Sequence, residues 1–172
     1  MKENFKLGIF EASASLTAVL TFIFLFLPCY HEADGFSLSM MQIAFGNTKT
    51  EANGLLIFAF ILLVVGVLAS IALTVLLFLD KSNEMLTMIL AIVGGILVLA
   101  GGVILMCGIF ITGLDKMISE LGLVQGVWGF SIGFFLVPIF ALASLVLSYP
   151  CGLIVLHHKD LADAKPKETV SE

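Results

Sequence analysis

An uncharged apolar run from Met85 to Leu114 constrains the fold of this sequence more than any other feature. The run exceeds the roughly 20 residues that an α-helix needs to cross the hydrocarbon core of a membrane. Glycines recur in it at a seven-residue spacing, in a first row at Gly94, Gly101 and Gly108 and a second row at Gly95 and Gly102. Helices in a membrane associate through close packing over small residues, so this spacing predicts the central helix of a transmembrane bundle.

The composition extends this interpretation to the whole chain. Of its 172 residues, 60% are hydrophobic and 12% are charged, whereas soluble proteins contain roughly 25% charged residues. Apolar segments predict four spans, at about 7–29, 54–79, 85–113 and 129–156. We therefore expect an all-α, integral membrane four-helix bundle formed by residues 1–158 as one domain, followed by a short, charged and disordered tail at 159–172.

The distribution of lysines predicts the orientation of the bundle. With four spans, one side carries six lysines, which are Lys2, Lys6, Lys81, Lys159, Lys165 and Lys167. The other side carries only Lys49 and Lys116. By the positive-inside rule, both termini are expected in the cytoplasm of a multi-pass protein of the cell membrane.

Small residues also recur four apart in the second and fourth predicted spans. The second span contains Gly66, Ser70 and Thr74, and the fourth contains Ser144, Ser148 and Gly152. Residues four apart lie on the same face of a helix. These stripes therefore predict the faces through which the two helices pack against their neighbours.

The two outer connections are expected to lie at the membrane surface. In the first, from Tyr30 to Glu51, alternating residues around Ser37 suit a strand, whereas Phe36, Met40 and Ile43 also fit one face of a helix. The favoured interpretation is a short helix on the membrane or over the mouth of the bundle. The second connection, from Leu114 to Gln125, has helical spacing and predicts a short interfacial helix.

Glu11 is the only acidic residue near the body of a predicted span. Carboxylates inside a membrane are costly and often mark ion or proton pathways, so Glu11 is a candidate transport residue. It also lies only about a turn and a half beyond Lys6, within reach of the headgroups. The favoured interpretation is therefore a hydrated, interfacial carboxylate.

Polar and aromatic residues of the outer connections are candidates for an interaction at the outer face. They are His31, Glu32, Asp34, Phe36 and Trp128. The adjacent side chains of His31 and Glu32 point apart on a strand or a helix, which disfavours a metal site or a catalytic site.

Other patterns exclude several functions. Cys29, Cys107 and Cys151 lack the paired spacing of a disulfide framework or a zinc site, so no metal or cofactor is expected. No nucleophile and base pattern predicts an enzyme. The net charge of -5 is spread over short segments, which disfavours nucleic acid as a partner.

Two short segments carry a resemblance, Gly35-Phe36-Ser37-Leu38-Ser39 and Ile43-Ala44-Phe45-Gly46. With the large first outer loop and the tight central hairpin, the chain resembles small four-span membrane proteins of low-GC Gram-positive bacteria. Its layout is similar to claudin-like and MARVEL-type proteins, although the tryptophan and two-cysteine signature of the claudin loop is absent. The resemblance implies the four-span fold.

Two functions are compatible with the sequence. The first is a non-enzymatic accessory or scaffold subunit, whose outer loops contact the lipid bilayer, another membrane protein or a second copy of the chain. The alternative is a small oligomeric transporter or channel that uses Glu11.

Overall fold

Four long helices form the body of the protein, and short strands and helices form one end of it. The computed structural model describes residues 2–32, 37–47, 51–81, 83–113 and 128–163. The helices are α1 (Lys2–Phe24), α2 (Met40–Phe45), α3 (Gly54–Phe78), α4 (Glu84–Met106), α5 (Gly108–Ile111) and α6 (Ile132–Asp163). The strands are β1 (Pro28–Glu32), β2 (Ser37–Ser39) and β3 (Trp128–Phe130).

The four long helices are long and apolar enough to cross a membrane, as the sequence predicts. The segments that meet these criteria are Lys6–Phe24, Gly54–Phe78, Met85–Met106 and Ile132–Leu153. Their ends differ from the predicted bounds where other structure intervenes. The first helix ends before β1, the third is interrupted at Cys107 before α5, and the fourth begins only after β3.

The prediction of a disordered tail at 159–172 is wrong for the first residues of this segment. Helix α6 continues past the predicted start of the tail at Lys159 and ends at Asp163. An α-helix propagates easily once it has formed, because each further residue adds one hydrogen bond. The remaining tail, 164–172, lies outside the described residues.

The long helices form a closed ring of four. Helix α1 packs against α3 and α6, and α4 packs against the same two helices from the opposite corner. The apolar core runs along the axis of this ring and includes Leu63, Val98 and Val137. A side chain that points from α1 towards the axis therefore meets both α3 and α6.

The turn between α3 and α4 makes these helices an antiparallel hairpin. Asp80 adopts a left-handed conformation with φ of 56°. Its N–H donates to the Leu77 carbonyl at 3.2 Å, and the Lys81 N–H donates to the Leu76 carbonyl at 3.0 Å. These two bonds satisfy carbonyls that a helix end leaves without partners.

The two glycine rows of α4 face different neighbours. In the first row, a Cβ added at Gly101 would lie 2.7 Å from the Ala59 carbonyl oxygen of α3. In the second row, a Cβ added at Gly95 would lie 2.8 Å from Leu145 Cδ1 of α6. The seven-residue spacing thus allows α4 to approach two helices of the same chain at once.

The prediction of an all-α fold is wrong at one end of the bundle. Three strands form an antiparallel sheet in the order β2-β1-β3. Tyr30 in β1 is opposite both Leu38 in β2 and Phe130 in β3. The sheet forms because the central strand, β1, satisfies its backbone groups on both edges through segments that are distant in sequence.

Both alternatives for the first outer connection are correct, each for a different part. Strand β2 covers Ser37–Ser39, and helix α2 follows directly. The Ser39 side chain accepts from the Gln42 N–H, and the Gln42 side chain accepts from the Ser39 N–H, which is a capping box. Met40 and Ile43 are buried against the bundle, so α2 folds over its mouth.

Candidate functional site

Glu11 is buried inside the bundle and is not at a hydrated interface. Its side chain has 0% exposure. Ser70 Oγ donates to Glu11 Oε1 at 2.9 Å. Ser148 Oγ lies 3.1 Å from Oε1 and 3.0 Å from Oε2. The interfacial interpretation is therefore wrong, because α1 turns Glu11 towards the axis, where two other helices hydrogen-bond to it.

Three elements position this group, which we call the Glu11 cluster and define as Glu11, Ser70 and Ser148. Ser70 and Ser148 belong to the small-residue stripes of α3 and α6. A serine is small enough for close helix packing and carries a hydroxyl that both donates and accepts. The stripes therefore supply both the space and the hydrogen bonds for the carboxyl group.

Further polar contacts hold α1 in register with the same two helices. Ser15 Oγ and Thr74 Oγ1 are 2.7 Å apart, one turn along α1 from Glu11 and one turn along α3 from Ser70. Ser144 Oγ donates to the Ala14 carbonyl at 3.1 Å. Because these bonds lie within a low-dielectric interior, they fix the rotation of α1 about its axis.

Helix α4 contributes to the site indirectly, by packing against α3 and α6 at glycine residues. A Cβ built on Gly94 would lie 3.7 Å from the backbone nitrogen of Ser70, so this glycine lies directly beside the cluster. One built on Gly152, one turn after Ser148, would lie 2.9 Å from Ile92 Cγ1. Helix α4 therefore packs directly on the two helices that carry the serines of the cluster.

Among the described side chains, no cation lies against the Glu11 carboxyl group. None of the described salt-bridging groups pairs with Glu11, and Lys6 on the same helix is exposed. Its hydrogen-bonding neighbours are the hydroxyl groups of Ser70 and Ser148, and the Cys151 thiol lies beside it. Such groups are neutral, so the site suits a carboxyl group that can exist with or without its proton.

The structure brings together only some of the outer-face candidates. His31 is opposite Ser37 and Gly129 in the sheet, and Glu32 is opposite Trp128. Asp34 and Phe36 lie outside the described residues. Among the residues that the structure describes, no group of three or more His, Cys, Asp or Glu side chains could hold a metal ion.

The cysteines are unpaired thiols, and two of them are buried. At the sheet end, Cys29 Sγ donates to the Leu38 carbonyl at 3.1 Å. Burial raises the pKa of the Cys29 thiol to about 12. On α6, Cys151 Sγ donates to the Leu7 carbonyl at 3.5 Å. Both thiols therefore act as small packing groups with a local hydrogen bond.

Every member of the Glu11 cluster is a candidate residue in the sequence, but their contact with one another is not predicted from it. Ser70 and Ser148 were predicted only as packing residues, and Glu11 only as a single carboxylate. A signal was present in the hydroxyl groups, since both stripes place serine in apolar segments, where an unsatisfied hydroxyl is costly. Glu11, as the only acidic residue near the body of a predicted span, is the side-chain acceptor that such hydroxyl groups indicate.

The fold and the site together define a helical protein with four helices long and apolar enough to cross a membrane and a buried carboxyl group in their midst. No known protein family matches the chain, and no curated protein or solved structure is significantly similar to it.

Proposed function

We propose that this chain is a non-enzymatic multi-pass protein of the cell membrane, with both termini in the cytoplasm. In this proposal it acts as an accessory or scaffold subunit, and its outer end contacts another membrane protein. The four apolar helices support the membrane location, and the lysine distribution supports the orientation.

The observation that supports the scaffold proposal is the construction of the outer end. We call this part the outer platform and define it as β1, β2, α2 and β3. Strand β3 comes from the second outer connection and pairs with β1 from the first. The two connections therefore share one sheet and are not independent loops.

The outer platform is also anchored in the core of the bundle. Cys29, Leu38 and Ile43 are at most 2% exposed and belong to the same apolar cluster as the long helices. The Met41 N–H donates to the Leu25 carbonyl at 3.3 Å, and the Ser131 N–H donates to the Cys29 carbonyl at 2.9 Å. A preorganised surface loses little conformational entropy when a partner binds, which suits a scaffold.

Co-purification with a matched pair of variants tests the proposal. Ser37 is exposed on the edge strand β2, so Ser37→Arg adds bulk and charge to the outer platform without filling the core. Lys81 is exposed in the turn at the opposite end, so Lys81→Gln serves as the control. The tagged chain is purified from its native host in mild detergent, and the associated proteins are quantified by mass spectrometry.

We expect stoichiometric recovery of a membrane protein with the wild-type chain and with Lys81→Gln, and at least about tenfold lower recovery with Ser37→Arg, which corresponds to about 1.4 kcal/mol. Recovery of the chain alone would contradict the proposal that it forms a stable complex with another membrane protein. Equal losses with both variants would show that the partner does not bind at the outer platform.

A second candidate function, a small oligomeric transporter or channel, is favoured by the burial of Glu11. An ionisable residue inside a membrane is expensive and commonly marks a pathway for ions or protons. Flux measurements in liposomes test this candidate. Glu11→Gln should abolish flux, whereas Glu51→Gln, which changes an exposed carboxylate, should leave it unchanged. Wild-type vesicles without flux would exclude the candidate for the ions tested.

A further inference from the structure

The Glu11 cluster is a carboxyl group with direct hydrogen bonds to two hydroxyl groups and with no described cationic partner. We propose that it is a proton-binding site inside the bundle, where the Glu11 carboxyl group takes up and releases a proton while α1, α3 and α6 stay packed. This inference deepens the second candidate function, because it names the proton as the ligand of that site.

The distances favour a proton over a metal cation. Ser70 donates to Oε1, and the single hydroxyl proton of Ser148 is shared between Oε1 and Oε2, at oxygen–oxygen distances between 2.9 and 3.1 Å. A hard cation needs about six oxygen ligands that point their lone pairs inward, so it would have to turn these hydroxyl protons away and add further ligands. A proton binds to one of the carboxylate oxygens directly and needs no such cage.

Hydroxyl rotation allows the site to accommodate both states. In the ionised state, Ser70 and Ser148 donate to the carboxylate. After uptake of one proton from water, the new O–H of Glu11 can donate to one serine oxygen, and that serine can donate to the carbonyl one turn earlier on its own helix. Every hydrogen-bonding group keeps a partner, and the net charge of the site changes by one.

The groups around the cluster leave Glu11 as the residue that changes charge. From α6, Cys151 is the titratable side chain that contacts the carboxyl group. From α3 and α4, the described buried side chains near this level are hydroxyl-bearing or apolar, such as Thr74, Thr87 and Ala91. The basic side chains of α6 beyond Cys151, which are His157, His158 and Lys159, lie outside the described side chains.

The position of Glu11 along α1 indicates where the proton exchanges with water. Exposed Lys6 precedes it by five residues, which is about 7.5 Å along a helix axis. Just beyond the opposite end of α1, Leu25 is buried in one apolar cluster with residues of the outer platform, and its carbonyl accepts from the Met41 N–H. We therefore place the exchange on the side of the N terminus of α1.

Infrared difference spectroscopy of the chain in phosphatidylcholine liposomes tests the site, with the pH stepped between about 4 and about 10. Protonated carboxyl groups have a carbonyl stretching band that ionised ones lack. We expect a pH-dependent band that is lost in Glu11→Gln and retained in Glu51→Gln. In Ser148→Ala the same band should change frequency, because the hydroxyl group that contacts both oxygens of the carboxyl group is removed.

Three results would overturn the proposal. They are a Glu11 carboxyl group that stays in one state over the whole range, a band that persists in Glu11→Gln, and a band that does not respond to Ser148→Ala. Should Glu11→Gln fail to fold, Ser148→Ala and Ser70→Ala apply the same test with the carboxyl group in place. A titrating band in vesicles that show no proton flux would support the proton-binding site and exclude the transport function.

Discussion

Replacing Gly101 with alanine tests whether the glycine rows set the spacing of the bundle. A Cβ at this position would lie 2.7 Å from the Ala59 carbonyl oxygen and 2.8 Å from both the nitrogen and the Cβ of Leu63. Two of these three atoms belong to the backbone of α3 and cannot rotate away. Ordinary contact begins at 3.4 Å, so the closest pair must separate by the difference between 3.4 and 2.7 Å, which is 0.7 Å.

The expected magnitude follows from two opposing terms. Overpacking of a well-packed interior costs about 1–3 kcal/mol. Alanine has a higher helix propensity than glycine, which offsets about 1 kcal/mol of the overpacking cost. We expect Gly101→Ala to lower the free energy of unfolding by up to about 2 kcal/mol.

Gly94 provides a matched control, because it lies one seven-residue repeat earlier in the same row of α4. A Cβ there would lie no closer than 3.4 Å to any atom, the nearest being Ala69 Cβ. Gly94→Ala should therefore keep the bundle intact and stabilise it by up to about 1 kcal/mol, through helix propensity alone.

The unfolding of both variants is followed in mixed micelles by SDS titration. The readout is the reactivity of Cys29 and Cys151 towards a thiol reagent, since both side chains are 0% exposed in the folded protein. The transition of Gly101→Ala should shift to a lower SDS fraction than that of Gly94→Ala. The reasoning is refuted if Gly94→Ala is as destabilising as Gly101→Ala, or if neither differs from the wild type.

Three further predictions concern the ends of the bundle. Asn53→Ala should destabilise the protein by about 1 kcal/mol in the same titration, because the Asn53 side chain accepts hydrogen bonds from the Leu55 and Leu56 N–H groups; an unchanged midpoint would contradict this. Asp80→Gly should be neutral or stabilising and Asp80→Val clearly destabilising, because φ is 56° at this position, and the reverse order would be inconsistent with a left-handed turn. The pKa of the Cys29 thiol is raised in the folded state from 9.0 to about 12. The contribution of this thiol to stability is therefore complete below pH 9.0 and is lost as the pH rises towards 12. A difference in the free energy of unfolding between wild type and Cys29→Ala that stays constant over this range, measured by denaturant titration, would contradict this prediction.

Much of the fold could be predicted because its long elements depend on local chemistry. An α-helix satisfies its own backbone hydrogen bonds, so an apolar segment of sufficient length predicts a spanning helix without any knowledge of its neighbours. The cap at Asn53 and the packing stripes are likewise local patterns. The exact ends were less predictable, as the later start of α6 at Ile132 shows, since β3 ends only two residues earlier.

The sheet could not be predicted from local patterns. Tyr30 pairs with Phe130, one hundred positions away in the sequence, and no feature of either segment specifies the other. Strand pairing depends on which segments the bundle brings to the same end. The alternation around Ser37 indicated a strand, but its partner became evident only in three dimensions.

The sequence by itself determined that the chain forms four apolar helices, that α4 carries two glycine rows, and that Glu11 is the only acidic residue near the body of a predicted span. Only the tertiary structure decided where Glu11 points. On an isolated helix, a carboxylate so near Lys6 would turn to the headgroups and remain hydrated. In the bundle, the packing of α1 against α3 and α6 turns Glu11 to the axis, because Ser70 and Ser148 replace the water that it loses.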